Sequence, residues 1–120
     1  MDIPEIYESE YRLCLILWAN EPINSTKLVK LAKEELGWNK ATTYTVIRRL
    51  SERGILKNED TIVSSLISKE QAQEARLKQL MEDTFQGSLP AFIAAFSKNQ
   101  KLSQQEADRL RSLIDGFEEE

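Results

Sequence analysis

Between Trp38 and Lys57 the chain reads WNKATTYTVIRRLSERGILK. This stretch holds Lys40, Arg48, Arg49, Arg53 and Lys57 against one acid, Glu52, a local charge of +4. The whole chain is acidic, with a formal net charge of −4, so everything outside the stretch sums to −8. Thr42, Thr43, Tyr44 and Thr45 stand just ahead of the arginine pair. A threonine hydroxyl can donate or accept at a base edge, and its methyl can meet the methyl of thymine. Arginine binds guanine through two hydrogen bonds or holds a phosphate. Because each phosphate contact releases counterions, the local density of cations matters more than the total charge. The chemistry these residues offer is recognition of DNA.

Bond-making chemistry is not assembled anywhere in the chain. There is no histidine, which removes the commonest general base. The single cysteine, Cys14, lies in the apolar run LCLIL and reads as a small buried hydrophobe. One cysteine and no histidine exclude an intrachain disulfide and an ordinary zinc site. Carboxylates are plentiful but spread over helix surfaces, and no glycine-rich phosphate loop is present. The expectation is a protein without enzymatic activity, cofactor or metal.

A length of 120 residues fits one domain, or a small domain with an appended one. Hydrophobic residues make up 41% and charged residues 30%, a globular, soluble composition. No apolar run approaches the roughly 20 residues that span a bilayer. The acidic start MDIPEIYESEYR lacks a signal peptide's basic and apolar regions, so the expected location is the cytoplasm.

Glycine and proline total seven, so the elements that position the cationic stretch are mostly helices. Ser9 can cap a first helix running to Trp18–Asn20, with Tyr11, Leu15 and Trp18 on one face. Glu21-Pro22 ends it. Ser25 can cap a second helix with Leu28, Leu31, Ala32 and Leu36 as its apolar face, stopped by Gly37. The third helix runs from about Asn39 to Arg53 and ends at Gly54. Ile55–Lys57 and Thr61–Leu66 then read as two short strands around Asn58-Glu59-Asp60, a small hairpin. Three helices and a hairpin are the layout of a winged helix-turn-helix.

At 100° per residue, Val46, Ile47 and Leu50, with Thr43 one turn earlier, fall on the inward side of the third helix. Ala41, Tyr44, Thr45, Arg48 and Glu52 fall opposite, flanked by Thr42 and Arg49. Small and hydroxyl side chains followed by arginines suit a helix that enters the major groove by its N-terminal half. A merely solvated helix face has a similar composition. A winged helix that binds protein instead of DNA is the alternative, and the acidic wing tip Glu59-Asp60 favours it.

Downstream of Ser68 the character changes. SKEQ opens a long helix to about Gln86, broken by Gly87. Ser88 begins a shorter one with Pro90 in its first turn. Asn99-Gln100-Lys101 is a loop, and Ser103 with Glu106 forms a capping box for a last helix. Three apolar stripes result: Leu77, Leu80, Met81 and Phe85; Leu89, Phe92, Ile93 and Phe96; Leu110, Leu113, Ile114 and Phe117. So short a segment has little of its own to bury them against, and such a patch normally marks an interface. The expected division is a winged-helix DNA-binding domain over 1–67 and a helical dimerisation domain over 68–120.

Several of these pieces resemble the bacterial repressor family that includes the penicillinase, methicillin-resistance and copper-transport repressors. EYRLCLILW (Glu10–Trp18) is similar to the family's first-helix motif. Trp38 followed by Thr42 to Leu50 is similar to its recognition helix, and SERGIL (Ser51–Leu56) to its closing turn. Phe85–Leu89, Leu102-Ser103 and Leu110 resemble its C-terminal half, so the likeness covers nearly the whole chain. It implies a homodimeric repressor that places two recognition helices on a palindromic operator in double-stranded DNA.

On this resemblance, Thr42, Thr45 and Arg49 match DNA-facing positions, whereas Tyr44 and Arg48 fall on variable ones. Thr42 and Thr45 are assigned to base edges, Arg49 to a base or phosphate, and Lys40, Arg48 and Arg53 mainly to phosphates. Tyr44 can bond a phosphate or pack on a sugar. The amides opening the second helix at Ser25 and Thr26 offer either a further phosphate site or plain capping. Trp18 and Trp38 are read as packing residues. Some relatives are released from DNA through a membrane sensor-protease pathway that leads to their cleavage, and the corresponding bond here is Ala95-Phe96. Phe96 reads equally well as dimer core. The cysteines of the copper-sensing members are absent, and the wing is short and acidic where relatives usually carry an aromatic residue and more polar, often basic, length.

Overall fold

The computed structural model describes residues 3–99 and 101–118. Gln100, within the expected Asn99–Lys101 loop, and the terminal Glu119 and Glu120 lie outside them, as does the side chain of Phe117. The elements run α1 (Glu8–Asn20), β1 (Ile23–Asn24), α2 (Ser25–Leu36), α3 (Lys40–Glu52), β2 (Leu56–Glu59), β3 (Ile62–Ser65), α4 (Lys69–Phe85), α5 (Leu89–Asn99) and α6 (Gln104–Glu118). The architecture is mostly α, with a three-helix winged helix-turn-helix followed by helices, as the sequence predicts. Two compact units divide the chain, Met1–Leu77 and Lys78–Glu120.

The first unit has the hydrophobic core. Leu13, Cys14 and Leu17 of α1, Leu28 and Ala32 of α2, and Val46, Ile47 and Leu50 of α3 belong to one buried cluster. Ile23, Ile55, Leu56, Val63, Ile67 and Ala72 complete it from the sheet and the start of α4. Full burial of each Leu or Ile side chain contributes about 1.5–3 kcal/mol. Packing of α1 on α2 and β3, and of α3 on α2 and β2, brings these residues together.

Local geometry departs from expectation in four places. First, α1 starts at Glu8 with Tyr7 as its N-cap, not Ser9. The Glu10 carboxylate accepts the Tyr7 amide at 3.0 Å and ties off the helix start two residues earlier. Second, α1 buries Leu13, Cys14, Ile16 and Leu17, while Leu15 is exposed and Tyr11 and Trp18 are half-buried. With α2 on one side and β3 on the other, the helix inserts a different face from the one the aromatic spacing marks.

Third, the N-cap of α2 is Asn24, whose side chain accepts the Thr26 amide at 2.8 Å; Ser25 is the first helical residue and is buried. Fourth, the hairpin turn is tighter than expected: β2 runs on to Glu59, while β3 is confined to Ile62–Ser65. Asn58 and Glu59 pair with Val63 and Ile62, leaving only Asp60-Thr61 as the turn. Both turn residues have positive φ, +50° and +67°, as a two-residue hairpin of this hand requires. For a β-branched threonine that conformation is strained.

A third strand, which sequence patterning misses, steadies the hairpin. The two residues of β1 pair antiparallel with β3, giving the order β1-β3-β2. The Ser25 amide donates to the Thr61 carbonyl at 2.7 Å, and Asn24 Nδ2 donates to Thr61 Oγ1 at 3.3 Å. The start of α2 therefore grips the strained residue of the turn. At the other end of β3, the Glu21 carboxylate accepts the amide and hydroxyl of Ser65 at 2.7 and 2.8 Å. Trp18 Nε1 donates to the Ile67 carbonyl at 3.0 Å. Arg76 Nη2 in α4 donates to Glu8 at 2.8 Å, with its guanidinium 4.0 Å from the Tyr11 ring. That hydrogen bond, with the charge behind it, lowers the Glu8 carboxyl below the usual carboxylate range.

In the second unit the caps follow expectation: Ser88 accepts the Ala91 amide at 3.1 Å, and Ser103 with Glu106 forms a reciprocal box. The two Ser103 hydrogen bonds, backbone first, pull the Glu106 carboxyl down. Phe85 meets Phe92 edge-on at 5.5 Å, and Phe92 stacks on Phe96 at 6.3 Å. Yet among the described residues of 78–120 no side chain is fully buried.

Burial pushes the Cys14 thiol up from 9.0 to about 12, with the Glu10 carboxylate adding and Arg53 opposing. The folded chain therefore holds this proton after the unfolded chain has lost it. The resulting stabilisation is complete below pH 9 and is lost as pH rises toward about 12. In denaturant titrations, the wild type should lose more stability between pH 9 and 11 than Cys14→Ala does. The native thiol should also resist an aromatic disulfide reagent that reacts at once in denaturant. Fast reaction of the folded protein would contradict the burial of Cys14.

Candidate nucleic-acid interface

The cationic stretch forms α3, and its N-terminus is built from Asn39. The Asn39 side chain accepts the Thr42 amide at 2.8 Å, satisfying one of the donors a helix start leaves free. The Thr43 hydroxyl donates to the Asn39 carbonyl at 3.1 Å, which lets this polar side chain sit fully buried. Thr43, Val46, Ile47 and Leu50 are the inward face, in agreement with the helical projection.

The outward face carries Lys40, Ala41, Thr42, Arg48, Arg49 and Glu52, all exposed. Thr45 is half-buried beside them. Tyr44 is half-buried too, because its ring packs on the edge of the core, while the Lys40 ammonium lies 6.0 Å from it. Arg48 pairs with Glu52 at 3.8 Å, with both side chains about two-thirds exposed. An ion pair in that setting is weak and exchanges readily for a phosphate. Arg49 is exposed and forms no ion pair among the described residues.

Arg53 stands apart from this group. Its guanidinium turns inward, Nη2 donating to the buried carboxylate of Glu10 on α1, and the Tyr7 ring covers it at 5.4 Å. Sequence reasoning placed Glu10 in a motif without giving it a task. Its spacing from Tyr7, the acid three residues into a helix, is the signal that identifies a capping carboxylate. At the start of α2, the Thr26 amide is already occupied by Asn24 and Ser25 is buried, which fits the capping alternative for these residues.

The wing strands put Lys57, Asn58, Glu59, Asp60 and Thr61 at the surface, with Lys57 Nζ 3.8 Å from Glu59. Its lysine is thus partly neutralised and its tip is acidic. Among the described residues no group of three or more Cys, Asp or Glu is placed to hold a metal ion. No described helix is long and apolar enough to cross a membrane.

A winged helix-turn-helix, a small-residue and arginine face on its third helix, and a following helical segment invite comparison with known proteins. A sequence profile described as penicillinase repressor matches residues 6–116. The chain belongs to the penicillinase repressor family. This is a family of transcriptional repressors, so the chain is a regulator and not an enzyme. It is 21% identical over 117 residues to the penicillinase repressor of Bacillus licheniformis, covering 94% of this chain and 91% of that one. Against the methicillin resistance regulatory protein MecI of Staphylococcus aureus strain N315 the identity is 22% over 114 residues, covering 92% and 93%. An uncharacterized 16.5 kDa protein of Latilactobacillus sakei is 27% identical over 114 residues, covering 92% of this chain and 78% of its own.

The remaining residues singled out by sequence lie in the later helices. Leu77, Leu80, Leu89, Phe96, Leu113 and Ile114 are exposed, and Met81, Phe85, Phe92, Ile93 and Leu110 are half-buried. Ala95 and Phe96 fall inside α5 with both side chains exposed.

Asn39→Ala removes the acceptor at the start of α3. Stability in urea should fall by about 0.5–2 kcal/mol, and the Thr42 amide should exchange with deuterium faster. An unchanged exchange rate there would mean that the cap does not hold the helix start.

Proposed function

We propose that this chain is a dimeric, sequence-specific repressor that binds a palindromic operator in the cytoplasm and blocks transcription. The observation that carries this reading is the exposed face of α3, where Thr42, Arg48 and Arg49 stand free of the core. Thr42 and Thr45 read base edges, Arg49 holds a base or phosphate, and Lys40 and Arg48 hold phosphates. Tyr44, with its ring against the core, offers at most its hydroxyl to a phosphate or its edge to a sugar. Arg53 belongs to the same basic stretch, but its partner is Glu10.

Dimerisation is the second half of the reading. Residues 1–67 bind DNA and residues 68–120 pair with a second copy. Support comes from six large apolar side chains, Leu77 through Ile114, that are each more than two-fifths exposed in the single chain. Side chains of this kind, left bare on a soluble protein, normally belong to an interface. A two-fold pair presents two α3 helices to two half-sites.

Relief of repression through a sensor-protease pathway, ending in cleavage at Ala95-Phe96, is the finest part of this reading and comes from family resemblance. Proteases bind extended backbone, so cutting there requires α5 to unwind locally. A protein-binding winged helix is the second reading, favoured by the exposed acids Glu59 and Asp60 at the wing tip.

Fluorescence anisotropy with duplex DNA from upstream of the gene, against scrambled competitor at two salt concentrations, separates the two. The repressor reading expects competitor-resistant binding that weakens by orders of magnitude between roughly 50 and 200 mM salt. Thr45→Ala should reduce discrimination against altered operators by about 1–3 kcal/mol. Salt-independent, sequence-blind association would favour the protein-binding module. For the dimer, sedimentation at micromolar concentration should give twice the monomer mass, and Leu113→Glu should shift it to monomer. A wild-type monomer at that concentration would remove the palindromic arrangement.

A further inference from the structure

Among the described residues, Glu10 is the only charged side chain that is fully buried, 4% exposed. Its Oε1 accepts the Tyr7 amide at 3.0 Å and a guanidinium N–H from Arg53 Nη2. Forty-three residues separate the two partners, which join the start of α1 to the C-cap of α3. The Tyr7 ring lies over the guanidinium. Arg53 is 30% exposed, so one side of the pair meets solvent. Its Nε is buried and has no acceptor among the described residues. The contact is single-pronged, not the two-pronged fork that makes an arginine–carboxylate pair strongest.

Arg53 follows Arg49 by four residues and Thr42 by eleven. At 100° per residue these steps return to nearly the same side of the helix. Arg53 is thus the cation that would extend the exposed basic face by one turn, and Glu10 holds it instead. A carboxylate as buried as Glu10 is costly to leave without its partner, which keeps the arginine in place.

We infer that Glu10 is a positioning residue of the DNA interface: by holding Arg53 against α1 it pins the C-terminal end of α3 and withholds one cation from the phosphates. The inference rests on the reading of α3 as the DNA-contacting helix. Its consequence is for specificity. Sequence-independent affinity grows with every cation offered to a phosphate, whereas base contacts depend on a helix held in register. Pinning α3 through Arg53 keeps the second while limiting the first.

The test uses the full chain and the scrambled duplex, titrated between 50 and 200 mM salt. Glu10→Gln keeps the shape and the amide acceptor but removes the charge; circular dichroism and urea unfolding check that it folds. Its plot of log affinity against log salt should steepen by about 0.9 for each Arg53 released onto a phosphate. Affinity would then fall about threefold further than in the wild type across that range, and the operator-to-scrambled ratio should shrink. Adding Arg53→Gln to Glu10→Gln should restore the wild-type slope. A purely structural role would weaken both duplexes without changing the slope, and a wild-type slope in Glu10→Gln overturns the inference. Arg53→Gln alone, whose amide can still donate to Glu10, gives an independent measure. An unchanged slope supports the withheld cation; a slope shallower by about 0.9 means Arg53 already contacts phosphate and overturns it. Wild-type protein that binds neither duplex in a salt-dependent way sinks the DNA reading itself, before any variant is made.

Discussion

One helix must satisfy two demands at once, and the first unit is organised around it. Burial of Val46, Ile47 and Leu50 in the cluster with Leu13, Leu17 and Leu28 decides which side of α3 remains outside. Those side chains are each worth about 1.5–3 kcal/mol when fully buried, far more than any single surface contact contributes. The helix cannot rotate to bury another face without giving this up. Thr42, Arg48 and Arg49 are therefore presented as a consequence of packing. Asn39 holds one end of the helix through the Thr42 amide, and Glu10 holds the other through Arg53.

The wing obeys the same logic with weaker means. Its two-residue turn puts Thr61 at φ +67°, where a β-branched residue is strained. Such a conformation persists only when its surroundings over-determine it. Here the surroundings are the Ser25 amide and the Asn24 side chain, which also caps α2. The turn, the third strand and the start of α2 thus form one hydrogen-bonded joint. Glu21 on Ser65 and Trp18 on the Ile67 carbonyl fasten the other end of β3 to α1.

The later helices present the opposite physical situation. Their caps are well made at Ser88 and Ser103, so each helix has a defined start. Their aromatic residues meet one another, Phe85 on Phe92 and Phe92 on Phe96. Still, Leu89, Leu113 and Ile114 are each at least half exposed. Secondary structure is satisfied there locally, whereas apolar burial is not. This imbalance is the reason a second copy of the chain enters the proposed function.

Helix by helix, local signals located most of the fold. Asn39 and Gly54 bracket α3, Gly37 stops α2, and Ser68, Ser88 and Ser103 open the later helices, because capping and positive φ depend on residues close in sequence. The inward face of α3 was legible for the same reason: Val46, Ile47 and Leu50 recur at the helical period. What spacing could not reveal was set by distant partners. Two residues, Ile23 and Asn24, carry no strand pattern and become β1 only because β3 lies beside them. Leu15 looks like core from its neighbours but faces outward, since α2 and β3 claim a different side of α1. Arg53 looks like a free cation next to Arg48 and Arg49, and nothing local tells it from them. By itself the sequence determined which helices form, which side of α3 is apolar, and that cations gather on the side opposite. Only the tertiary structure decided which of those cations is withdrawn, because an ion pair across 43 residues forms only when packing brings α1 and the end of α3 together.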